Sequence, residues 1–263
     1  MRAVGVHADV VVVTSRLWQT TATALRAPEA GGDGEAVLID SPYFPDELEL
    51  LPRLLGEAGF AVKGLLATHA DFDHLLGRLA FPRLTLGMGE TSAARLRAEP
   101  GVAQRDLRDA DSEHYVPRPS PLALGGVQVL PVPGFVEIGG EEIELHHADG
   151  HTGDGTALLA RFAGVLVCGD YLSDVEIPML SPGGSLDAYR ATLARLAPLA
   201  EVAATIVPGH GSPHERDGAL RILDEDFGYL DGLERGDERP KLPAGRDTRR
   251  QREIHAANLR ALA

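Results

Sequence analysis

The sequence has a single cysteine, Cys168, among 263 residues, and it therefore contains no intrachain disulfide. It also has little positive charge, because 25 Lys and Arg face 39 Asp and Glu, a net charge of −14. Such acidity argues against nucleic acid or an anionic membrane surface as the main partner. Cys168 ends the apolar run 164–168, so we expect a buried small hydrophobe and not a nucleophile.

Long apolar runs are missing as well. The Val-rich run 10–13 is too short for a membrane span or for the core of a signal peptide. Together with the lone cysteine, this predicts a cytoplasmic protein. Hydrophobic residues make up 44% of the chain and charged residues 24%, which is ordinary globular composition.

Short apolar segments separated by Gly-containing turns predict alternating strands and helices. Strands are expected at 10–14, 36–40, 64–68, 127–130, 135–138, 143–147, 157–162, 165–168 and 202–207, and helices at 45–56, 75–79, 91–98, 186–199 and 214–230. The Gly-rich segment 30–34 predicts a turn. The polar, Pro-containing segment 99–121 resembles an insertion or a lid. Residues 246–263 suit an amphipathic terminal helix or a dimer arm.

Four potential metal ligands lie within six residues, His69-Ala-Asp71-Phe-Asp73-His74, directly after a predicted strand. In an extended segment side chains alternate, so His69 and Asp71 project to the same side and can reach one ion. Asp73 alone would more often be the N-cap of the following helix. The density of ligand types favours a metal site instead.

Three further candidate ligands follow predicted strands at turns. His151 lies between glycines, Asp170 follows the strand 165–168, and His210 follows the strand that ends at residue 207. Each alone would be an ordinary turn residue. Their shared position after strands predicts that they meet the first cluster at one edge of a sheet.

These motifs resemble the metallo-β-lactamase superfamily. Its pattern is His-x-His-x-Asp-His, then Gly-His-Thr-x-Gly, a Gly-Asp after a strand and a final Gly-His, and this chain has 69–74, 150–153, 169–170 and 208–211. The resemblance implies an α/β fold, a four-layer αββα sandwich, with residues 1–235 as one domain and residues 236–263 as a helical extension of it.

The resemblance also implies a ligand set and a reaction. The first ion would take His69, Asp71 and His151, the second Asp73, His74 and His210, with Asp170 bridging both. A metal-bound hydroxide would attack a small ester, thioester or lactone. The cofactor is then one or two divalent ions, with zinc expected first and iron or manganese open. Asp73 is expected to take part in catalysis, and Tyr171 either donates a hydrogen bond to a developing oxyanion or packs beside the sheet.

Asp71 departs from the family pattern, which has histidine at this position. With three carboxylates and one hydroxide, two divalent ions would sit in a neutral inner shell. We therefore expect a weaker Lewis acid, less attraction for an anionic substrate, and a better fit to iron or manganese.

Alternatives remain open. Asp71 is short, and if it does not reach an ion, a mononuclear site of Asp73, His74, His210 and Asp170 remains. A carboxylate at this position also resembles the flavo-diiron branch, which would make the chain a di-iron or mononuclear iron oxidoreductase, although that branch carries a flavodoxin domain that residues after 235 do not provide. A third reading is an inactive metal-binding or ligand-binding module. The expected partners are a small-molecule substrate and, through the C-terminal helix, a second copy in a homodimer.

Overall fold

A computed structural model describes residues 1–28, 34–243 and 245–262 as two β-sheets packed face to face, with helices on both outer surfaces. This is the αββα sandwich that the family resemblance implies. Of the predicted turn at 30–34, all but Gly34 lies outside the described residues.

The first sheet has seven strands in the described residues, and their spatial order follows the chain. They are β1 (Arg2–His7), β2 (Val10–Thr14), β3 (Thr21–Arg26), β4 (Glu35–Asp40), β5 (Ala61–Ala67), β6 (Leu86–Gly89) and β7 (Gln128–Leu130). β1 to β4 pair antiparallel, whereas β4 to β7 pair parallel. Parallel strands end at the same edge, so the chain leaves β4 at Asp40 and β5 at Thr68 side by side.

The second sheet has six strands in the described part of the chain, in the order β13-β12-β11-β10-β9-β8. They are β8 (Gly134–Ile138), β9 (Glu141–His147), β10 (Thr156–Ala160), β11 (Val165–Val167), β12 (Thr205–Val207) and β13 (His214–Glu215). β11 and β12 are parallel. The segments that follow them, which carry Asp170 and His210, therefore leave the sheet at one edge.

Helices cover the outer faces of the two sheets. They are α1 (Pro45–Glu57), α2 (Gly77–Ala80), α3 (Glu90–Ala98), α4 (Val102–Glu113), α5 (Leu186–Val202), α6 (Arg216–Glu234) and α7 (Arg249–Leu262). α1 to α4 pack on the first sheet and α5 to α7 on the second. The layer between the sheets is aliphatic, with side chains such as Val12, Ile39, Ile143 and Leu158. Among the helices of the described residues, none combines the length and apolar composition of a membrane span.

Several elements differ from the sequence expectation. β1, β3 and β6 were not predicted, because β1 is largely exposed, β3 is threonine-rich although it is buried between β2 and β4, and two of the four residues of β6 are glycines. The helix expected from His214 begins at Arg216, because His214 and Glu215 form β13. The segment 99–121 contains α4, which buries Leu107 against the first sheet. The helix expected at 75–79 is reduced to α2, and the strand expected to reach Phe162 ends at Ala160. The strand expected from Val202 starts at Thr205, because α5 extends to Val202.

Candidate metal centre

The seven candidate ligands converge at the edge of the sandwich where β5, β9, β11 and β12 end. The six-residue cluster occupies the bend after β5, with a short 3₁₀ turn at Phe72–His74. His151, Asp170 and His210 come from loops of the second sheet. The site therefore lies between the two sheets, with ligands from both.

The first group contains His69, Asp71 and His151. The Oδ2 atom of Asp71 lies 3.6 Å from Nε2 of both histidines. Asp170 completes the group, since its Oδ2 lies 3.2 Å from Nε2 of His151 and 3.7 Å from Nε2 of His69. Donors held about 2.0–2.2 Å from one ion in a tetrahedral arrangement lie about 3.3–3.6 Å apart. These separations fit a single cation.

The second group contains Asp73, His74 and His210. Oδ2 of Asp73 lies 3.4 Å from Nε2 of His210 and 3.8 Å from Nε2 of His74. Oδ1 of Asp170 lies 3.2 Å from Nε2 of His74, and its Oδ2 lies 3.5 Å from Nε2 of His210. The Asp170 carboxylate thus faces both groups. Glu176, which the sequence analysis missed, lies in the same cluster as Asp170 and His210.

Each of the four histidines is held through its Nδ1 atom. Nδ1 of His151 lies 2.9 Å from the Met179 carbonyl, and Nδ1 of His210 lies 3.1 Å from the Trp18 carbonyl. Because a carbonyl only accepts hydrogen bonds, Nδ1 must carry the proton in both. Nε2 is then the ring nitrogen left to bind a metal, after release of any proton that it carries in the metal-free protein.

Asp40 and Thr68 fix the other two imidazoles. Asp40 accepts from the Thr68 hydroxyl at 2.9 Å and from Nδ1 of His74 at 3.1 Å. Since the Thr68 proton goes to Asp40, its oxygen accepts from Nδ1 of His69 at 3.0 Å. Asp40 adopts a left-handed backbone conformation with φ of 58°, which costs free energy and is typical of a functional position. The sequence signal for it was its place at the end of a predicted strand.

The inward-facing atoms fit a cation. Nε2 of His69, His74 and His151 and Oδ1 of Asp170 are buried, and within the described residues they make no hydrogen bond. Buried polar atoms without partners are costly and rare in folded proteins. Four that point to one place indicate a ligand, and imidazole nitrogens with carboxylates are the donors that zinc, iron and manganese accept.

Two glycines allow the loops to approach this closely. A Cβ atom on Gly209 would lie 2.2 Å from Oδ1 of Asp170, so a side chain there would displace the carboxylate. Gly150, before His151, has φ of +121°, and a Cβ there would lie 2.2 Å from the backbone nitrogen of Tyr189. Glycine is therefore required at both positions.

The charges of the cluster shift its pKa values in opposite directions. Burial alone would lower the pKa of His74, but Asp170, Asp73 and Asp40 hold it well above its usual range. Burial alone would raise the pKa of Asp170, but His210 and His74 hold it well below. The cluster thus consists of carboxylates and imidazoles in strong electrostatic contact, a feature of functional sites.

Asp71 also contacts a cation of the protein. Nη1 of Arg95, on α3, lies 2.8 Å from Oδ1 of Asp71 and 2.8 Å from Oδ1 of Asp154. Asp154 is buried, and its Oδ2 accepts from the Ala70 backbone nitrogen at 2.9 Å. Neither Arg95 nor Asp154 was among the predicted site residues. Arg95 is distant in sequence and lacks a motif, whereas Asp154 occupies the fifth position of the Gly-His-Thr-x-Gly pattern, where the pattern has glycine.

Tyr171 does not occupy the position expected of an oxyanion donor. Its side chain is buried, and its hydroxyl donates to the Asp149 carbonyl and accepts from the His151 backbone nitrogen, both at 2.8 Å. With its only proton engaged behind His151, the phenol cannot donate to a substrate. This geometry favours the second of the two expectations, in which Tyr171 packs beside the sheet, and its hydroxyl then positions the His151 loop.

A cavity of about 190 Å³ opens beside Asp71. The side chain of Asp71 is 22% exposed, more than that of any other candidate ligand. Phe72, Leu96 and Val102 give it apolar walls, and Asp106 and Glu99 give it carboxylates. The cavity therefore meets the candidate metal centre at Asp71.

The fold and the site together define an αββα protein with two adjoining His/Asp clusters at one edge. The family model described as the metallo-beta-lactamase superfamily matches residues 16–210, and the chain belongs to this superfamily. Curated proteins gave no match.

Solved structures show the same fold. A metallo-beta-lactamase family protein from Thermus thermophilus is 21% identical, with a TM-score of 0.65 over 86% of this chain and 81% of that one. A beta-lactamase domain protein from Burkholderia ambifaria is 18% identical, with a TM-score of 0.63 over 98% and 86%. The protein TTHA1623, in a di-iron-bound form, is 23% identical, with a TM-score of 0.58 over 80% and 97%. At these identities the likeness establishes the fold alone.

Proposed function

We propose that the protein is a metal-dependent hydrolase that acts on a small ester, thioester or lactone. His69, Asp71 and His151 would hold one divalent ion, Asp73, His74 and His210 a second, and Asp170 both. The supporting observation is the common orientation of four imidazoles, with Nδ1 tied to an acceptor and Nε2 directed inward. Bound divalent ions would supply Lewis acidity and lower the pKa of a water ligand.

The cavity beside Asp71 supports a small substrate. Its volume of about 190 Å³ is below the usual range for drug-sized ligands, which is about 300–1,000 Å³. Phe72, Leu96 and Val102 would receive an aliphatic group and exclude water. Asp106 and Glu99 disfavour a negatively charged substrate, because Arg95 is already engaged by Asp71, Asp154 and Glu99. An uncharged acyl group fits these walls best.

The test is hydrolysis of chromogenic ester, thioester, lactone and lactam substrates by protein reconstituted with zinc, iron or manganese. We expect turnover of one of the first three classes, and loss of more than 100-fold in Asp170→Ala, because both ligand groups lose a carboxylate. Asp224→Ala, on the exposed face of α6, is the matched control and should keep full activity. Absence of turnover with every metal would favour the inactive-module reading.

An iron oxidoreductase of the same fold is the second candidate. Its support is the carboxylate Asp71 in the first group, because mixed imidazole and carboxylate donors suit iron. Iron in the protein as purified, with an absorption band that responds to a small oxidant, would favour this reaction over hydrolysis. Zinc content without such a band would exclude it.

We further propose a cytoplasmic location, supported by the single, fully buried Cys168. A homodimer through α7 remains part of the proposal, and it would use the exposed face of that helix, since Gln251, His255 and Asn258 are buried within the chain. Light scattering of the purified protein would test the dimer.

A further inference from the structure

Arg95 contacts the one candidate ligand that departs from the family pattern. Its Nη1 atom bridges Oδ1 of Asp71 and Oδ1 of Asp154, each at 2.8 Å, and its Nε atom lies 3.3 Å from Glu99. The Arg95 side chain is 20% exposed and that of Asp154 is 1% exposed. The bridge is thus shielded on the Asp154 side and open toward the cavity.

The two carboxylate oxygens of Asp71 have different partners. Oδ1 is bound by the guanidinium, and only Oδ2 faces the Nε2 atoms of His69 and His151. A free carboxylate rotates and can offer one or two oxygens to an ion. Held in this way, Asp71 offers a single oxygen in a fixed direction, as an imidazole would.

Asp154 fixes the bridge to the ligand loop. Its Oδ2 accepts from the backbone nitrogen of Ala70, which lies between His69 and Asp71. Arg95 therefore connects Asp71 to the backbone of its own loop through Asp154. Without the guanidinium, the carboxylates of Asp71 and Asp154 would face each other unscreened.

We propose that Arg95 is a positioning residue that makes Asp71 a one-oxygen ligand and so allows aspartate to replace histidine at this position. This inference rests on the proposed metal centre but not on the proposed hydrolysis. It changes the charge balance expected from the sequence, because the Asp71 charge is shared between a cation of the protein and a bound ion.

The experiment measures metal affinity by competition with a chelator in four proteins: wild type, Arg95→Gln, Asp71→His and the double variant. We expect Arg95→Gln to weaken binding at the first group by on the order of 10–100-fold, the usual effect of removing a residue that orients a ligand. In the Asp71→His background, the same change should have no effect or should strengthen binding, because an imidazole needs no guanidinium. The cobalt(II) absorption spectrum should differ between wild type and Arg95→Gln. It should be the same in Asp71→His and in the double variant.

Arg97→Gln is the matched control, since it removes the same charge from the exposed face of α3. Circular dichroism of the metal-free proteins shows whether each variant folds. Arg95→Lys serves as a second variant if Arg95→Gln does not fold, and it should lower affinity because an ammonium cannot bridge two carboxylates with the same geometry. Equal losses of affinity in both backgrounds, or unchanged affinity in Arg95→Gln, would overturn the inference. A wild-type protein that binds no metal would refute the metal centre itself.

Discussion

Asp71 is the candidate ligand at which this chain departs from the superfamily pattern, and both of its carboxylate oxygens have partners in the structure. Its Oδ2 faces Nε2 of His69 in the first ligand group, and its Oδ1 contacts Nη1 of Arg95. That Asp71 reaches an ion stays a prediction, and it is supported by the equal distance of 3.6 Å from its Oδ2 to Nε2 of His69 and of His151. A carboxylate here replaces one of three imidazoles in the first group.

Asp71→His should shift metal preference toward zinc. Imidazole suits zinc, whereas carboxylate suits iron and manganese better. The measurement is the metal content of wild type and variant purified side by side from the same medium. An unchanged ratio of zinc to iron and manganese would show that Asp71 does not determine metal choice.

Tyr171→Phe should destabilise the protein by about 1–3 kcal/mol, since the Asp149 carbonyl and the His151 backbone nitrogen lose a buried partner. Burial raises the pKa of this phenol, so it stays protonated. Chemical denaturation measures the stability. A positioning role predicts an unchanged pH profile of kcat, whereas a profile that loses a limb would restore the oxyanion role.

At the scale of elements, α7 supports both histidines that come from the later loops. Asn258 donates to the Pro178 carbonyl at 2.7 Å and accepts from the Leu180 backbone nitrogen at 2.9 Å, and these residues flank Met179, whose carbonyl holds His151. At its other end, the guanidinium of Arg250 stacks 4.8 Å from the ring of Trp18, whose carbonyl holds His210.

Asn258→Leu should therefore lower both stability and metal affinity, although it lies outside the ligand set. Two buried backbone groups lose their partner, at about 1–3 kcal/mol each. Thermal unfolding with and without metal separates the two effects. Arg260→Ala, exposed on the same helix, is the control. A variant that melts lower but binds metal as tightly as wild type would limit α7 to a structural role.

In the first sheet, sequence patterns predicted strands with continuous apolar runs and missed strands without them. β2, β4 and β5 were recognised as buried aliphatic runs, whereas β3 was not, because threonine at 21 and 23 breaks the pattern although both side chains are buried. The polar face of α4 concealed its core residue Leu107 in the same way. Tertiary packing, not local composition, places these elements.

The candidate ligands could be predicted from the sequence because the ligand positions of these motifs are occupied by His or Asp. The atoms that orient them were not, because the carbonyls of Met179 and Trp18 belong to the backbone, and any residue type supplies one. Arg95 reaches the site only through the packing of α3, which no local pattern encodes.

At the scale of the whole molecule, the site joins the two sheets. Metal removal by a chelator should lower the unfolding temperature, because an ion that binds only the folded chain stabilises it by about 2.7 kcal/mol at 100 times its Kd. Scanning calorimetry before and after dialysis, with metal added back, measures the shift. An unfolding temperature that does not respond to zinc, iron or manganese would argue against a resident ion.

Metal binding should weaken as pH falls. Burial lowers the pKa of His210, but Glu176, Asp170 and Asp73 outweigh it and raise that pKa to about 9. An imidazole in the unfolded chain has a pKa of about 6.5. Protonation of His210 therefore stabilises the metal-free fold fully below about pH 6.5, and this stabilisation is lost as the pH rises through about 9. An ion must displace the proton, so its apparent affinity should fall by about tenfold per pH unit below 9 for each proton released. Calorimetric titrations in two buffers at several pH values count the protons, and pH-independent affinity would contradict the expectation.

Each of the two ligand groups takes donors from both sheets. His69 and His74 follow a strand of the first sheet, whereas His151, Asp170 and His210 follow strands of the second, so each group is complete only when the sheets are packed together. A half-formed chain therefore presents incomplete donor sets with weak hold on any ion. A bound cation would therefore hold the two sheets together at this edge, in addition to the aliphatic layer between them.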